Sequence, residues 1–248
     1  LDAGESGTIA ASGLGISGLG NFTVDGSGNW TYTVDNASVQ SLGAGITTTD
    51  SFVVTSLDGG SSTTVTVTIT GENDDAVIVG DNFGTVSEDA ASVSGTLIAL
   101  DPDAGESVFT PETLIGTQGY GDLSINAGGN WVFTVNAPAV QSFAGGSSFY
   151  ETFTVTTVDG STQSVFVEIS GQNDLAVIAG NTTGAVTEDG VDVATGTLLV
   201  TDIDAGESFA AAVGAGTSTY GDYTVDIDGN WTYTLNHALV QQLRLGEA

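Results

Sequence analysis

The carboxylates of this chain fall into short motifs whose residue types suit a hard divalent cation. Asp101 and Asp103 stand two apart with Glu106 close behind, and Asp202, Asp204 and Glu207 repeat that arrangement. Asn73-Asp74 and Asn173-Asp174 supply an amide and a carboxylate side by side, and Glu88-Asp89 and Glu188-Asp189 supply carboxylate pairs. Calcium takes about 6–8 oxygen ligands from carboxylates, amides and backbone carbonyls on loops, so these sets offer what it needs. Two aspartates in an extended chain reach one ion only where the strand breaks, and Pro102 and Gly105 are suitable breakers. Asp2 and Glu5 are what the first copy retains of the same motif. An EF-hand fits poorly: Glu112 lies eleven residues after Asp101, but Val213 replaces it in the later copy, and Glu106 stands where a hand needs glycine. Scattered acids such as Asp35, Asp50 and Asp226 read as turn residues or solvated faces.

Other chemistry finds little support. Cysteine and lysine are absent, and the single histidine, His237, has no counterpart in the other copies. A nucleophilic triad would have to be built on that one histidine. Zinc sites would lack their usual nitrogen and sulfur ligands. A carboxylate pair can hydrolyse glycosides, yet carboxylates recurring at fixed intervals suit structural ions better than an active site. No enzyme activity is expected.

These motifs belong to a repeat. Asp-Ala-Gly-Glu-Ser occurs at 2–6, 103–107 and 204–208, each copy 101 residues after the last. Gly-Asn-Trp (28–30, 129–131, 229–231) and Val-Gln (39–40, 140–141, 240–241) recur in step. A period near 100 residues is too long for a solenoid coil, so each unit should carry its own core. The Gly-x-Asn-Asp segments mark limits near 75 and 175. The expected organisation is a partial unit at 1–75 lacking opening strands, a complete unit at 76–175, and a partial unit at 176–248 lacking closing strands.

Within each unit apolar residues alternate with threonines. Trp30, Tyr32 and Val34 share one face, as do Val65, Val67 and Ile69, and Trp131, Phe133 and Val135 with Val165, Val167 and Ile169 repeat this. Period-two patterning of this kind marks strands with one buried face. Gly-, Asp- and Asn-rich turns before each tryptophan predict hairpins. The expected class is all-β: tandem antiparallel sandwiches of immunoglobulin or cadherin type. The phasing of Trp30, Trp131 and Trp231 with neighbouring aromatics favours core packing over a sugar-stacking platform.

Net charge bounds the partners. With 31 acidic residues against one arginine, Arg244, the formal charge is −30. Nucleic-acid binding and attraction to an anionic membrane surface are both excluded, since each needs cations. Hydrophobic residues nonetheless make up 40% of the chain in a regular pattern, which predicts folding rather than disorder. No apolar run is long enough to span a membrane. With no signal peptide and no methionine even at position 1, the chain is expected to be an internal piece of a longer polypeptide.

The set Asp-x-Asp-Ala-Gly-Glu-Ser, Tyr-Gly-Asp (120–122, 220–222), Gly-Asn-Trp-x-[Tyr/Phe]-Thr, Val-Gln-x-[Leu/Phe] and Gly-x-Asn-Asp resembles the VCBS repeat, a cadherin-like module of large bacterial surface proteins and adhesins. The resemblance covers essentially the whole chain; the first copy departs from it, reading Leu19-Gly20-Asn21 in place of Tyr-Gly-Asp. It implies export by a type I system to the cell surface or medium, calcium binding, and a stalk or extender role in attachment and biofilm formation. Neighbouring repeats are the implied partners, with a surface glycan or protein left open. Competing readings are a ligand-binding adhesin region and an accessory module of a secreted polysaccharide-degrading enzyme.

If the first strand of a unit runs away from the preceding linker, Glu88-Asp89 lies at the far end and the next strand returns Asp101-x-Asp103 to the near end. The second junction should then gather Glu88, Asp89, Asn173, Asp174, Asp202, Asp204 and Glu207. The first should gather Asn73, Asp74, Asp101, Asp103 and Glu106 without a Glu-Asp pair. Cadherins clamp calcium with the same kinds of motif.

Overall fold

A computed structural model describes residues 6–241. Strands fall into three successive groups. The first holds β1 (Ala11–Leu14), β2 (Gly20–Val24) and β3 (Trp30–Val34) in one antiparallel sheet, and β4 (Thr47–Thr55) with β5 (Ser62–Thr70) in another. The middle group is fuller. Its strands are β6 (Val77–Gly80), β7 (Phe83–Ser87), β8 (Ser92–Leu100), β9 (Glu112–Ile115), β10 (Gly121–Ile125), β11 (Asn130–Val135), β12 (Ser148–Thr156) and β13 (Thr162–Ser170). They form a five-stranded sheet, ordered β6-β8-β11-β10-β9, and a three-stranded sheet, β12-β13-β7. The third group, β14 (Val177–Gly180), β15 (Val193–Thr201), β16 (Val213–Thr217), β17 (Gly221–Val225) and β18 (Asn230–Leu235), repeats the five-stranded sheet. The protein is all-β in tandem sandwich-type modules.

The turns form where their residues dictate. Val24 faces Trp30, Ile125 faces Trp131 and Val225 faces Trp231 across three equivalent hairpins. In each hairpin a glycine with positive φ (Gly28, Gly129 or Gly229) stands two residues before the tryptophan, where a side chain would be strained. One element is absent from the alternation pattern: a single helical turn follows the tryptophan strand in each group, at α1 (Asn36–Val39), α2 (Ala137–Val140) and α3 (His237–Val240). One turn is too short to impose a helical period on the sequence.

The middle group carries the core. Trp131, Phe133, Leu123, Val155, Val165, Val167 and Ile169 are fully enclosed between its two sheets. Trp131 fits there because Gly84 and Gly95 leave room: a Cβ on Gly95 would lie 2.5 Å from the indole ring. Its Nε1–H donates to the carbonyl of Asp81 at 2.7 Å, tying the opening strands to β11. Trp231 makes the same bond to Asn181. The third group has no strands over its inner face among the described residues. Leu198, Tyr223, Val225, Trp231 and Tyr233 there line a groove of about 600 Å³. In the first group Trp30 is 47% exposed, so the expected core packing of the tryptophans is complete only in the middle copy.

Asp50 corrects the reading of a solvated acid. It is buried in β4, where its carboxylate accepts from the backbone N–H of Ser17 (2.7 Å) and Leu19 (3.0 Å) and from the Tyr32 hydroxyl (2.7 Å). Glu151 in β12 plays the same part, accepting from the N–H groups of Gln118 (3.0 Å) and Tyr120 (3.1 Å). Each closes the loop of a facing hairpin whose amides would otherwise lack partners. No helix among the described residues is long and apolar enough to cross a membrane.

Candidate metal centres at the module junctions

Chain direction sets the site. β7 pairs parallel with β13, so Ser87 and Ser170 end side by side and Glu88 emerges where the chain leaves β13. There Glu88 is buried, and one carboxylate oxygen accepts from the N–H of Gln172 at 2.7 Å. The third group approaches the same point from the other side. The N–H of Asp174 donates to Oδ2 of Asp204 at 2.9 Å, and the N–H of Asp204 donates to Oδ1 of Asp202 at 2.9 Å. A bond from the Ala205 N–H to the Ser142 carbonyl (3.1 Å) bridges the two groups.

Glu88, Asp174 and Asp204 thereby each place a carboxylate oxygen within 4.8 Å of the others. Glu88 Oε2 and Asp204 Oδ1 are buried without any hydrogen-bond partner. Burial pushes Glu88 above the usual carboxylate range against the pull of two backbone N–H groups, and the charges of Asp204 and Asp89 add to the rise. Burial likewise raises Asp174, reinforced by Asp89, Asp204 and Asp202. Crowded carboxylates with orphaned lone pairs at low dielectric are destabilised until something positive joins them. A divalent cation with oxygen preference fits that donor set.

The first junction repeats the frame. The Asp74 N–H donates to Oδ2 of Asp103 at 2.9 Å, the Asp103 N–H to Oδ1 of Asp101 at 2.7 Å, and the Ala104 N–H to the Ser41 carbonyl at 3.2 Å. Asp101 Oδ2 and Asp103 Oδ1 are buried and unpartnered. Glu106 packs against Gly43, where a Cβ would lie 2.4 Å from its carboxylate. Burial raises Glu106, followed by the charges of Asp103, Asp101 and Asp159.

The sequence missed Asp159 at this junction. Its carboxylate accepts from the Ala76 N–H at 2.9 Å, from the Ser161 hydroxyl at 2.6 Å and from the Thr157 hydroxyl. Although burial works against it, the Ser161 and Thr157 hydroxyls and the N–H groups of Ala76 and Ser161 hold it below the usual range. Strand parity was the available signal: β13 leads into the next linker, so the turn before it must lie at the near end.

Other expected members stand at the edge. Asp89 and Asp202 are near enough for their charges to act on the cluster. Asn73 and Asn173 direct their amide N–H back to the carbonyls of Asp74 (3.2 Å) and Asp174 (2.7 Å). Glu207 is tied to Asp204 through the backbone, its N–H donating to the Asp204 carbonyl at 3.3 Å. Asp2 and Glu5 lie outside the described residues, as does Arg244.

Residues 73–171 match the model of the bacterial cadherin-like domain. No curated protein matches the chain. Among solved structures, mouse Cadherin-23 EC22-24 is similar at 18% identity, covering 95% of this chain and 78% of that one, with a TM-score of 0.46. Human CDH23 EC21-23 is similar at 15% identity, with 94% and 78% covered and a TM-score of 0.43. PcdhgB3 EC1-4 is similar at 13% identity, with 98% of this chain covered and a TM-score of 0.44. The chain spans 58% of that last structure.

Proposed function

We propose that this chain, whose middle module is cadherin-like, is a spacer from a large bacterial surface or secreted adhesin, stiffened by calcium at its module junctions. The observation that carries this reading is the convergence of Glu88, Asp174 and Asp204, from two strand groups and the linker between them, with two buried oxygens left unpartnered. Module limits near 75 and 175 accord with it, since the Asn-Asp linkers lie in the acidic clusters.

Each residue has a distinct task. Glu88 and Asp204 offer the free oxygens, and Asp174 contributes its carboxylate while its N–H fixes that of Asp204. Asp202 orients Asp204 from behind through the backbone. At the first junction Asp101, Asp103, Asp74 and Glu106 take corresponding roles. Calcium supplies two positive charges and a preference for several oxygen ligands. The carboxylates that repel one another in its absence then hold the two groups at a fixed angle. A stiff, acidic rod suits spacing rather than catalysis, and its charge keeps it soluble.

Small-angle scattering and thermal melting with calcium, then with chelator, test this. The expected result is a longer, stiffer particle and a higher melting temperature with calcium. Unchanged dimensions and melting overturn the reading.

A further inference from the structure

The Val-Gln motif recurs in all three copies and has no part in the junction chemistry described above. Its valine anchors the single helical turn: Val140 and Val240 are buried beneath α2 and α3. The glutamine that follows is the C-cap residue, placed at the rim by that anchor. In every copy its amide N–H donates to an aspartate of the acidic motifs. Gln40 bonds Asp74, Gln141 reaches Oδ1 of Asp89 at 3.5 Å, and Gln241 reaches Oδ1 of Asp189 at 3.5 Å. Glu88, Asp89 and Gln141 also line one cleft.

We propose that Gln141 is a positioning residue of the second junction's cation site. The proposal rests on the calcium reading given above. Asp89 is exposed, and an exposed aspartate is free to swing toward bulk water. The amide of Gln141 restrains it beside Glu88, so less side-chain freedom is lost when a cation arrives. A neutral amide is the suitable partner. A positive side chain would compete with the cation, and a further carboxylate would add to the repulsion among the clustered carboxylates. In the first junction Gln40 bonds the linker's Asp74 instead, the counterpart of Asp174.

The test is calcium titration by calorimetry on the full chain, for the wild type, Gln141→Leu and Gln141→Glu, with melting in chelator alongside. Gln141→Leu is expected to weaken calcium at the second junction by about three- to tenfold, from the ordering of one released side chain. Its melting in chelator should stay at the wild-type value, because the bond lies at the surface. Gln141→Glu is expected to tighten calcium while lowering melting in chelator, as a carboxylate beside Asp89 predicts. If both variants bind within twofold of a wild type that does bind calcium, the positioning role is overturned and the calcium reading stands. If the wild type binds none, both fall.

Discussion

Asp174 donates its backbone N–H to the carboxylate of Asp204 at 2.9 Å, and Asp74 does the same to Asp103 at the same distance. Each bond joins a linker to the loop after β8 or β15 in the unit that follows, so the linker and the acidic loop are one structural unit. The bond occupies one oxygen and leaves the other, Asp204 Oδ1 or Asp103 Oδ1, buried and free. The same geometry that sets the linker's path therefore aims a lone pair into the junction.

Asp204→Asn separates those two tasks. An amide oxygen can still accept from Asp174, so melting in chelator should match or exceed the wild-type value once a repelling charge is gone. Binding should weaken at least about tenfold, because a charged ligand becomes a neutral one. Ligation at about 100 times Kd stabilises a fold by about 2.7 kcal/mol, which scanning calorimetry resolves as a lost calcium-induced shift. A variant that keeps the full shift would remove Asp204 from the site.

Glu88 should show opposite signs with and without calcium. Its pKa is raised in the folded state, so the folded protein binds the extra proton more readily than the unfolded chain. The sign follows directly: stability in chelator rises as pH falls from neutrality through the raised pKa, and that gain ends below the ordinary value of 4.5. Glu88→Gln should reproduce the protonated state, melting higher than wild type in chelator at pH 7 but lower in calcium. Urea midpoints at pH 5 and 7, in both media, measure this crossover.

Much of this was legible in the sequence because it is periodic. Three copies of Gly-Asn-Trp place three hairpins, and the alternation at Val165, Val167 and Ile169 marks the residues that the structure encloses completely. The juxtaposition of Glu88 with Asp174 and Asp204 follows from strand direction, since an antiparallel return brings one motif to each end. Asp50 and Glu151 were not legible, and Asp159 was so only through the strand parity that puts its turn at the near end. Each is one acid among many in a Thr/Ser-rich stretch. Asp50 and Glu151 are distinguished by N–H groups of a facing loop, and Asp159 by the linker N–H of Ala76 and the hydroxyls of its own turn. No local pattern encodes a partner 31 to 83 residues away.

The Asp50 carboxylate should matter most in acid. Burial pushes it up, yet the Tyr32 hydroxyl and the N–H groups of Ser17, Ser51 and Leu19 outweigh that and hold it at about 2. A depressed carboxylate contributes stability that is fully present above its unfolded pKa near 3.8 and lost as pH falls toward 2. Asp50→Ala leaves two loop amides and a phenol without an acceptor, a cost of about 1–3 kcal/mol for the first strand group. Urea unfolding at pH 7 reads the loss, and wild type and variant should converge only as the pH falls through about 2. A variant as stable as wild type at pH 7 would show that water satisfies the loop instead.

The tryptophans give the last test, because three identical motifs sit in three environments. Trp131 is fully enclosed, whereas Trp30 is 47% exposed. Replacing a buried tryptophan with alanine costs about 3–5 kcal/mol through lost burial and the cavity left behind. Trp131→Ala should therefore unfold the middle module at much lower urea, and Trp30→Ala should cost well under half as much. Gly95→Val tests the slot from the opposite wall. Even its Cβ would lie 2.5 Å from the indole, and β11 has nowhere to retreat while the Trp131 Nε1–H is bonded to Asp81. That variant should destabilise the middle module about as severely as Trp131→Ala, by overpacking in place of a cavity. Acrylamide quenching of single-tryptophan variants checks the premise independently. Trp131 should be nearly unquenched until the middle module unfolds, and Trp30 should be quenched throughout.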